Sequence, residues 1–173
     1  IEYSIDSWKG NFYIHTNLGA EDFKICSCKI DNIEKWQDYI PATNGVLIGG
    51  FNLLNEWMIR SEVRDALPKL YVRNLNTKIE EELIITNEKV ISPGVALMQK
   101  NRNTNKIYIA YQSPKTPGKA YIYNVLTKEK KLVKEEIVPS GHNPDDYIVQ
   151  RLNCDSHDGK KIPLTITRHK KTQ

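Results

Sequence analysis

Phe12-Tyr13-Ile14, Trp57-Met58-Ile59 and Ile107-Tyr108-Ile109 recur at offsets of 45 and 50 residues. The segments Lys24-Ile25-Cys26, Lys69-Leu70-Tyr71 and Lys119-Ala120-Tyr121 keep step with them. Two landmarks that move together by one period mark an internal repeat, and strand-rich repeats of about 40–50 residues have the length of β-propeller blades. Four short strands fit around the landmarks in each repeat. They cover 1–8, 11–16, 23–30 and 36–40 in the first, 46–54, 56–63, 69–75 and 79–86 in the second, and 90–100, 106–112, 119–125 and 131–137 in the third. Alternating runs of Ile, Val, Tyr and Thr, punctuated by Gly, Pro and Asn, supply the strand and turn signals.

The fold expected is therefore all-β: an incomplete propeller of about three four-stranded antiparallel blades, spanning about 1–41, 42–87 and 88–137. Propellers carry about 4–8 blades, so three cannot close a ring, and the missing ones are expected before Ile1. The first residues already read as strand and no initiating Met is present, so the chain reads as a piece of something longer. Recurring aromatics (Tyr3, Trp8, Tyr13, Trp36, Phe51, Trp57, Tyr71, Tyr108, Tyr121 and Tyr123) are expected to fill the space between blades, where large rings bury much area. Only short stretches such as 32–37 leave helix open as an alternative.

After Pro139 the repeat stops. Pro139-Ser140-Gly141 breaks the strand pattern. Asn143-Pro144-Asp145-Asp146 then reads as one helical turn, with a capping Asn, Pro at the first helical position and acids at the positive end of the dipole. Two strand-like runs follow, 147–155 and 161–168, joined by Ser156-His157-Asp158-Gly159, and Asp-Gly between such runs signals a hairpin. The expected division is propeller to 137, linker over 138–150 and a hairpin over 151–173.

Composition narrows the function. The chain has 173 residues, 25 basic against 21 acidic side chains and a net charge of +4. The late lysines of 128–134 and 160–171 fit solvated strand edges, since charged edges resist pairing with other chains. They lack the Arg and aromatic partners of a nucleic-acid groove, so no nucleic-acid partner is expected. No apolar run approaches the ~18–20 residues that span a bilayer, and no signal peptide is apparent. Three cysteines, an odd number, fit a reducing, cytoplasmic compartment better than a disulfide framework.

No catalytic, cofactor-binding or metal-binding residues are assigned. Ser156-His157-Asp158 places the residue types of a serine-hydrolase triad side by side. A working triad needs His bonded to Ser and carboxylate through opposite ring nitrogens, and consecutive loop residues diverge. Cys26 and Cys28 share one sheet face about 7 Å apart, too far for a regular disulfide, and no further ligands stand near them. His142, His157 and His169 lack metal spacing, and His15 reads as structural. Gly49-Gly50 suggests a tight strand bend, with no phosphate-cradling sequence after it and no Gly-x-Ser-x-Gly elbow anywhere.

The junction carries a family signature. Glu136-Ile137-Val138-Pro139, then Tyr147-Ile148-Val149-Gln150-Arg151-Leu152, then Asp158-Gly159-Lys160-Lys161-Ile162-Pro163-Leu164 resembles the segment joining propeller to peptidase domain in prolyl oligopeptidase-family serine peptidases. Upstream, Tyr3-Ser4-Ile5-Asp6, Phe12-Tyr13-Ile14, Thr16-Asn17 and Phe23-Lys24-Ile25 look most like its oligopeptidase B (protease II) branch. Gln150, Asn153 and His157 stand where that pattern has Glu, Trp and Arg. The resemblance implies a seven-bladed propeller capping an α/β-hydrolase domain, with a Ser-Asp-His triad beyond Gln173. It implies cleavage of short peptides after Arg or Lys, no cofactor, and a gating and hinge role for this part, which by itself would be inactive. Implied partners are the peptide substrate, the rest of the propeller and the peptidase domain, with self-association through an exposed blade edge. The alternative is a stand-alone or degenerate propeller serving as a binding or scaffold module.

Overall fold

The structure is a computed structural model that describes residues 1–97 and 102–172. Its first sheet holds β1 (Tyr3–Trp8), β2 (Asn11–Thr16), β3 (Lys24–Lys29) and β4 (Gln37–Ile40). The second holds β5 (Val46–Leu54), β6 (Trp57–Arg64), β7 (Leu67–Asn74) and β8 (Glu80–Glu82). The third holds β9 (Ser92–Leu97), β10 (Lys106–Gln112), β11 (Lys119–Asn124) and β12 (Lys130–Glu135). Each is a four-stranded meander in sequence order, the blade architecture expected. A 3-10 turn, Pro144–Asp146, precedes a separate two-stranded sheet of β13 (Tyr147–Asp155) and β14 (Lys161–His169). Among the described residues no helix is long and apolar enough to cross a membrane.

Strand pairing follows the repeat. Ile14 lies opposite Ile5 and Cys26, and Ile109 opposite Val95 and Tyr121. Gly49-Gly50 forms a bulge where the β5–β6 register shifts after Ile48. Gly50 takes a φ of +137°, and a Cβ on Gly49 would stand 2.9 Å from Ser61 Oγ. That explains the paired glycines without any ligand. The stretch 32–37 forms turns leading into β4, which settles it as non-helical.

The chain divides into two compact units, one holding the first two sheets with 102–104, the other the third sheet and the hairpin. In the first unit the sheets meet through Tyr13, Ile25, Ile40, Ile48, Leu53 and Met58, with Trp8, Phe23, Tyr39, Phe51 and Leu75 packed around them. His15 adds a bond from its ring to the Ile48 carbonyl at 2.7 Å and stacks on Phe23, so it is structural as expected. The turn residue Asn55 accepts from the Trp8 indole and donates its amide to the Arg102 carbonyl, while the Arg102 side chain reaches Asp6 at 2.8 Å. In the second unit Ile107, Ile109, Tyr111 and Val125 are buried.

A charged network is embedded beside the inter-sheet core. Arg60 and Glu62, 6% and 3% exposed, pair at 2.5 Å, and Arg60 also forks onto Glu80 and lies 4.3 Å over the Tyr71 ring. Burial opposes both charges, and hydrogen bonds and charge from the partners outweigh it, holding Glu62 below the usual carboxylate range and Arg60 above its ordinary value. Residues at 58, 60 and 62 share one strand face, so the sheet continues its apolar stripe as an ion pair.

Not every recurring aromatic is covered in this chain: Tyr3, Trp36 and Tyr108 are 64%, 37% and 40% exposed. The reason is the period of two: Tyr3 and Ile5 alternate away from the inter-sheet core, and Tyr108 faces opposite to buried Ile107 and Ile109. The strand β13 begins at Tyr147, as the strand-like run 147–155 anticipates, and so overlaps the end of the expected linker 138–150. The forecast strand at 90–100 is observed over Ser92–Leu97, and 98–100 lie outside the described residues.

Glu62→Ala, which leaves Arg60 buried with one partner fewer, is expected to cost about 3 kcal/mol at neutral pH in urea unfolding. Because the Glu62 carboxyl is lowered in the folded state, its stabilisation is present above the ordinary carboxylate range and lost as pH falls through the lowered value, so the variant and parent curves should converge in acid. Burial and neighbouring Tyr39 push the Tyr13 hydroxyl up to about 12. Its contribution is present below the ordinary tyrosine range and lost as pH rises through that raised value. A late phenolate absorbance step near pH 12 is expected, and Tyr13→Phe should abolish it.

Candidate functional site

The strand β12 runs antiparallel to β11, which sets Glu135 opposite Lys119 and makes the chain leave the third sheet beside the β10–β11 turn. That turn, Ser113-Pro114-Lys115-Thr116-Pro117-Gly118, is held from within and from outside. The Ser113 hydroxyl accepts from the amides of Lys115 and Thr116 at 3.2 and 2.9 Å, and two prolines fix φ on either side of Lys115-Thr116. Ser113 Oγ and Thr116 Oγ1 then donate to the two carboxylate oxygens of Glu88 at 2.6 and 2.7 Å. Thr116 is buried, so its hydroxyl needs that acceptor.

The departing chain docks on this turn. The Glu136 amide donates to the Gly118 carbonyl at 2.8 Å, and its carboxylate accepts from the Gly118 amide at 3.1 Å. A Cβ on Gly118 would lie 3.0 Å from that carboxylate, so the glycine permits the close approach. After a turn closed by Gly141 on the Val138 carbonyl, the His142 ring sits 2.7 Å from the Lys115 carbonyl through Nε2 and stacks on Tyr147. Asn143 accepts from the Asp145 amide, capping the 3-10 turn as its sequence predicts. Tyr147 meets His169 edge-on, and the Lys170 amide donates to the Asp146 carbonyl at 2.7 Å. An unbroken series of contacts thus runs from Glu88 through the turn and His142 to the hairpin.

The residues weighed from sequence do not assemble into a catalytic centre. Ser156 Oγ lies 3.4 Å from His157 Nδ1, yet Asp158 is turned to the Lys160 amide and to Ser156. The Ser156 hydrogen bond, with the Lys160 amide behind it, holds the Asp158 carboxyl below its usual range, as befits a turn residue. The cysteines are all free: Cys26 and Cys28 are buried with Ile14, and Cys154 is exposed. Burial raises the Cys26 thiol, which donates to Asp38, so its thiolate is disfavoured. Among the described residues no group of three His, Cys, Asp or Glu could hold a metal ion. Sequence reading missed Glu88, and the only signal was the Ser-x-x-Thr-Pro turn that needs an acceptor.

Residues 1–136 match the family model of the prolyl oligopeptidase N-terminal β-propeller domain. The dipeptidyl aminopeptidase BI of Pseudoxanthomonas mexicana is 28% identical over 174 residues, covering 98% of this chain and 24% of that protein. Oligopeptidase B from Trypanosoma brucei with covalently bound antipain superposes with a TM-score of 0.87 at 22% identity, over 99% of this chain and 26% of its own. Oligopeptidase B from Leishmania major gives 0.86 at 18% identity, over 98% of this chain and 25% of its own. The chain therefore spans about a quarter of the length of the relatives it matches.

Glu88→Ala should leave two hydroxyls without their acceptor and lower stability by about 1–3 kcal/mol. Hydrogen exchange at the Lys115 and Thr116 amides should accelerate, while exchange in β2 and β6 stays unchanged.

Proposed function

Because the match covers residues 1–136, the chain belongs to the prolyl oligopeptidase family, and we propose that it serves as the gate and hinge of a serine oligopeptidase. In this reading the three sheets are the last blades of a longer propeller. The segment 138–150 is the interdomain linker, and the hairpin of 151–173 opens the peptidase domain. The observation that carries it is the docked linker, which passes from a blade to a hairpin of different character. Leu152, Ile162, Leu164 and Ile166 are 46%, 47%, 39% and 41% exposed on one face of that hairpin, with Leu152 directly opposite Leu164. A lone two-stranded sheet is marginal in water, and such a face suits the edge of a larger α/β core.

The nucleophile, acid and base of the reaction would lie in sequence after this chain. The propeller would admit only short peptides, and the resemblance to oligopeptidase B favours cleavage after Arg or Lys. Three free thiols support a reducing, cytoplasmic setting. The apolar outer face of the first sheet, including Ile5 and Trp36, supports association with another blade or with a second copy.

A fluorophosphonate probe tests this directly. The 173-residue chain should remain unlabelled, and a longer chain continuing through a Gly-x-Ser-x-Gly elbow should be labelled and should hydrolyse Arg and Lys substrates. Labelling of the 173 residues themselves would overturn the division of roles. A labelled longer chain that cleaves only after other residues would overturn the specificity alone.

A further inference from the structure

We propose that His142 is the latch of the hinge, fixing the hairpin to the third sheet through one hydrogen bond and one ring stack that open together. This deepens the reading of 138–150 as an interdomain linker and rests on it. The chemistry of the contact assigns its direction. A carbonyl oxygen has no proton to give, so Nε2, 2.7 Å from Lys115 O, carries the hydrogen and donates. The receiving carbonyl is held in place, because its turn is bound through Ser113 and Thr116 to Glu88. The other side is equally defined: the imidazole stacks at 5.1 Å on Tyr147, the first residue of β13, and Tyr147 is braced by His169.

His142 is thus the one side chain among the described linker residues that bonds to the turn and also stacks on the first residue of the β13–β14 hairpin. Glu136 engages only Gly118, and Asp146 engages only Lys170 and the capping Asn143. Placement matters as much as connection. His142 is exposed, so both contacts compete with water and are individually modest. A bond of that strength holds one arrangement at rest and still releases on the μs–ms scale of domain motions. Gly141, at a φ of +83°, stands immediately before it and provides backbone freedom for the swing.

Pulsed electron–electron distance measurement on the 173-residue chain tests the latch. One nitroxide goes on exposed Cys154 of β13 and a second on Lys131→Cys of exposed β12, with Cys26 and Cys28 buried against labelling. The parent should give a single narrow distance. His142→Ala should lose it in favour of a broad distribution. His142→Phe keeps a flat ring against Tyr147 but cannot donate, and it should broaden as well. A parent distribution that is already broad, or an Ala variant that stays narrow, would overturn the latch. A narrow Phe variant would overturn the assignment to the hydrogen bond. Because the readout is a distance within this chain, a longer chain without peptidase activity would refute the proposed function and leave this result standing.

Discussion

Each sheet of this protein has two faces and too little material of its own to cover them, so burial of one sheet against the next is the constraint on which the structure depends. The first two sheets meet it through Tyr13, Ile25, Ile48, Leu53 and Met58, with aromatic rings wedged around them. At about 25 cal/mol per Å² of apolar surface removed from water, such contacts add to what strand pairing supplies. The same constraint explains the Arg60–Glu62–Glu80 network. Once a charged pair is enclosed by packing, its geometry must be complete, and the fork onto Glu80 and the Tyr71 ring complete it.

Much of this was legible in the sequence, because the period of two and the period of the repeat are both written in residue type. Ile107-Tyr108-Ile109 announces a strand with one buried and one open side, and β10 alternates in that manner. Aromatic residue type does not disclose side, however. Tyr13 and Tyr3 look equivalent in the chain, but only Tyr13 points into the core, because facing depends on register with β2 and on which neighbour follows. Asn143-Pro144 and Asp158-Gly159 were readable because their effects are local to a few residues. Glu88 was not readable: its role comes from meeting residues 25 and 28 positions away, a distance that no local pattern encodes.

The family relationship gives these local devices a common setting. In the proposed role of a peptidase lid, the chain would have to be rigid within itself and movable at its boundary. The packing of blades serves the first need. At the boundary the cohesive element changes from buried hydrocarbon to surface hydrogen bonds and a stacked ring, which is where motion costs least. The departures at Gln150, Asn153 and His157 fall on this boundary side, and Asn153 is exposed opposite Pro163.

The reach of Arg102 to Asp6 carries a consequence for the order in which the protein acquires its structure. Every four-stranded sheet is built from strands that are neighbours in sequence, so each can assemble soon after it emerges during synthesis. Arg102 and Asp6 are 96 positions apart, and their ion pair waits until the β9–β10 connection exists. The Trp8 indole and the Asn55 amide are tied into the same junction. That junction therefore closes only after the first two sheets and the start of the third have been synthesised.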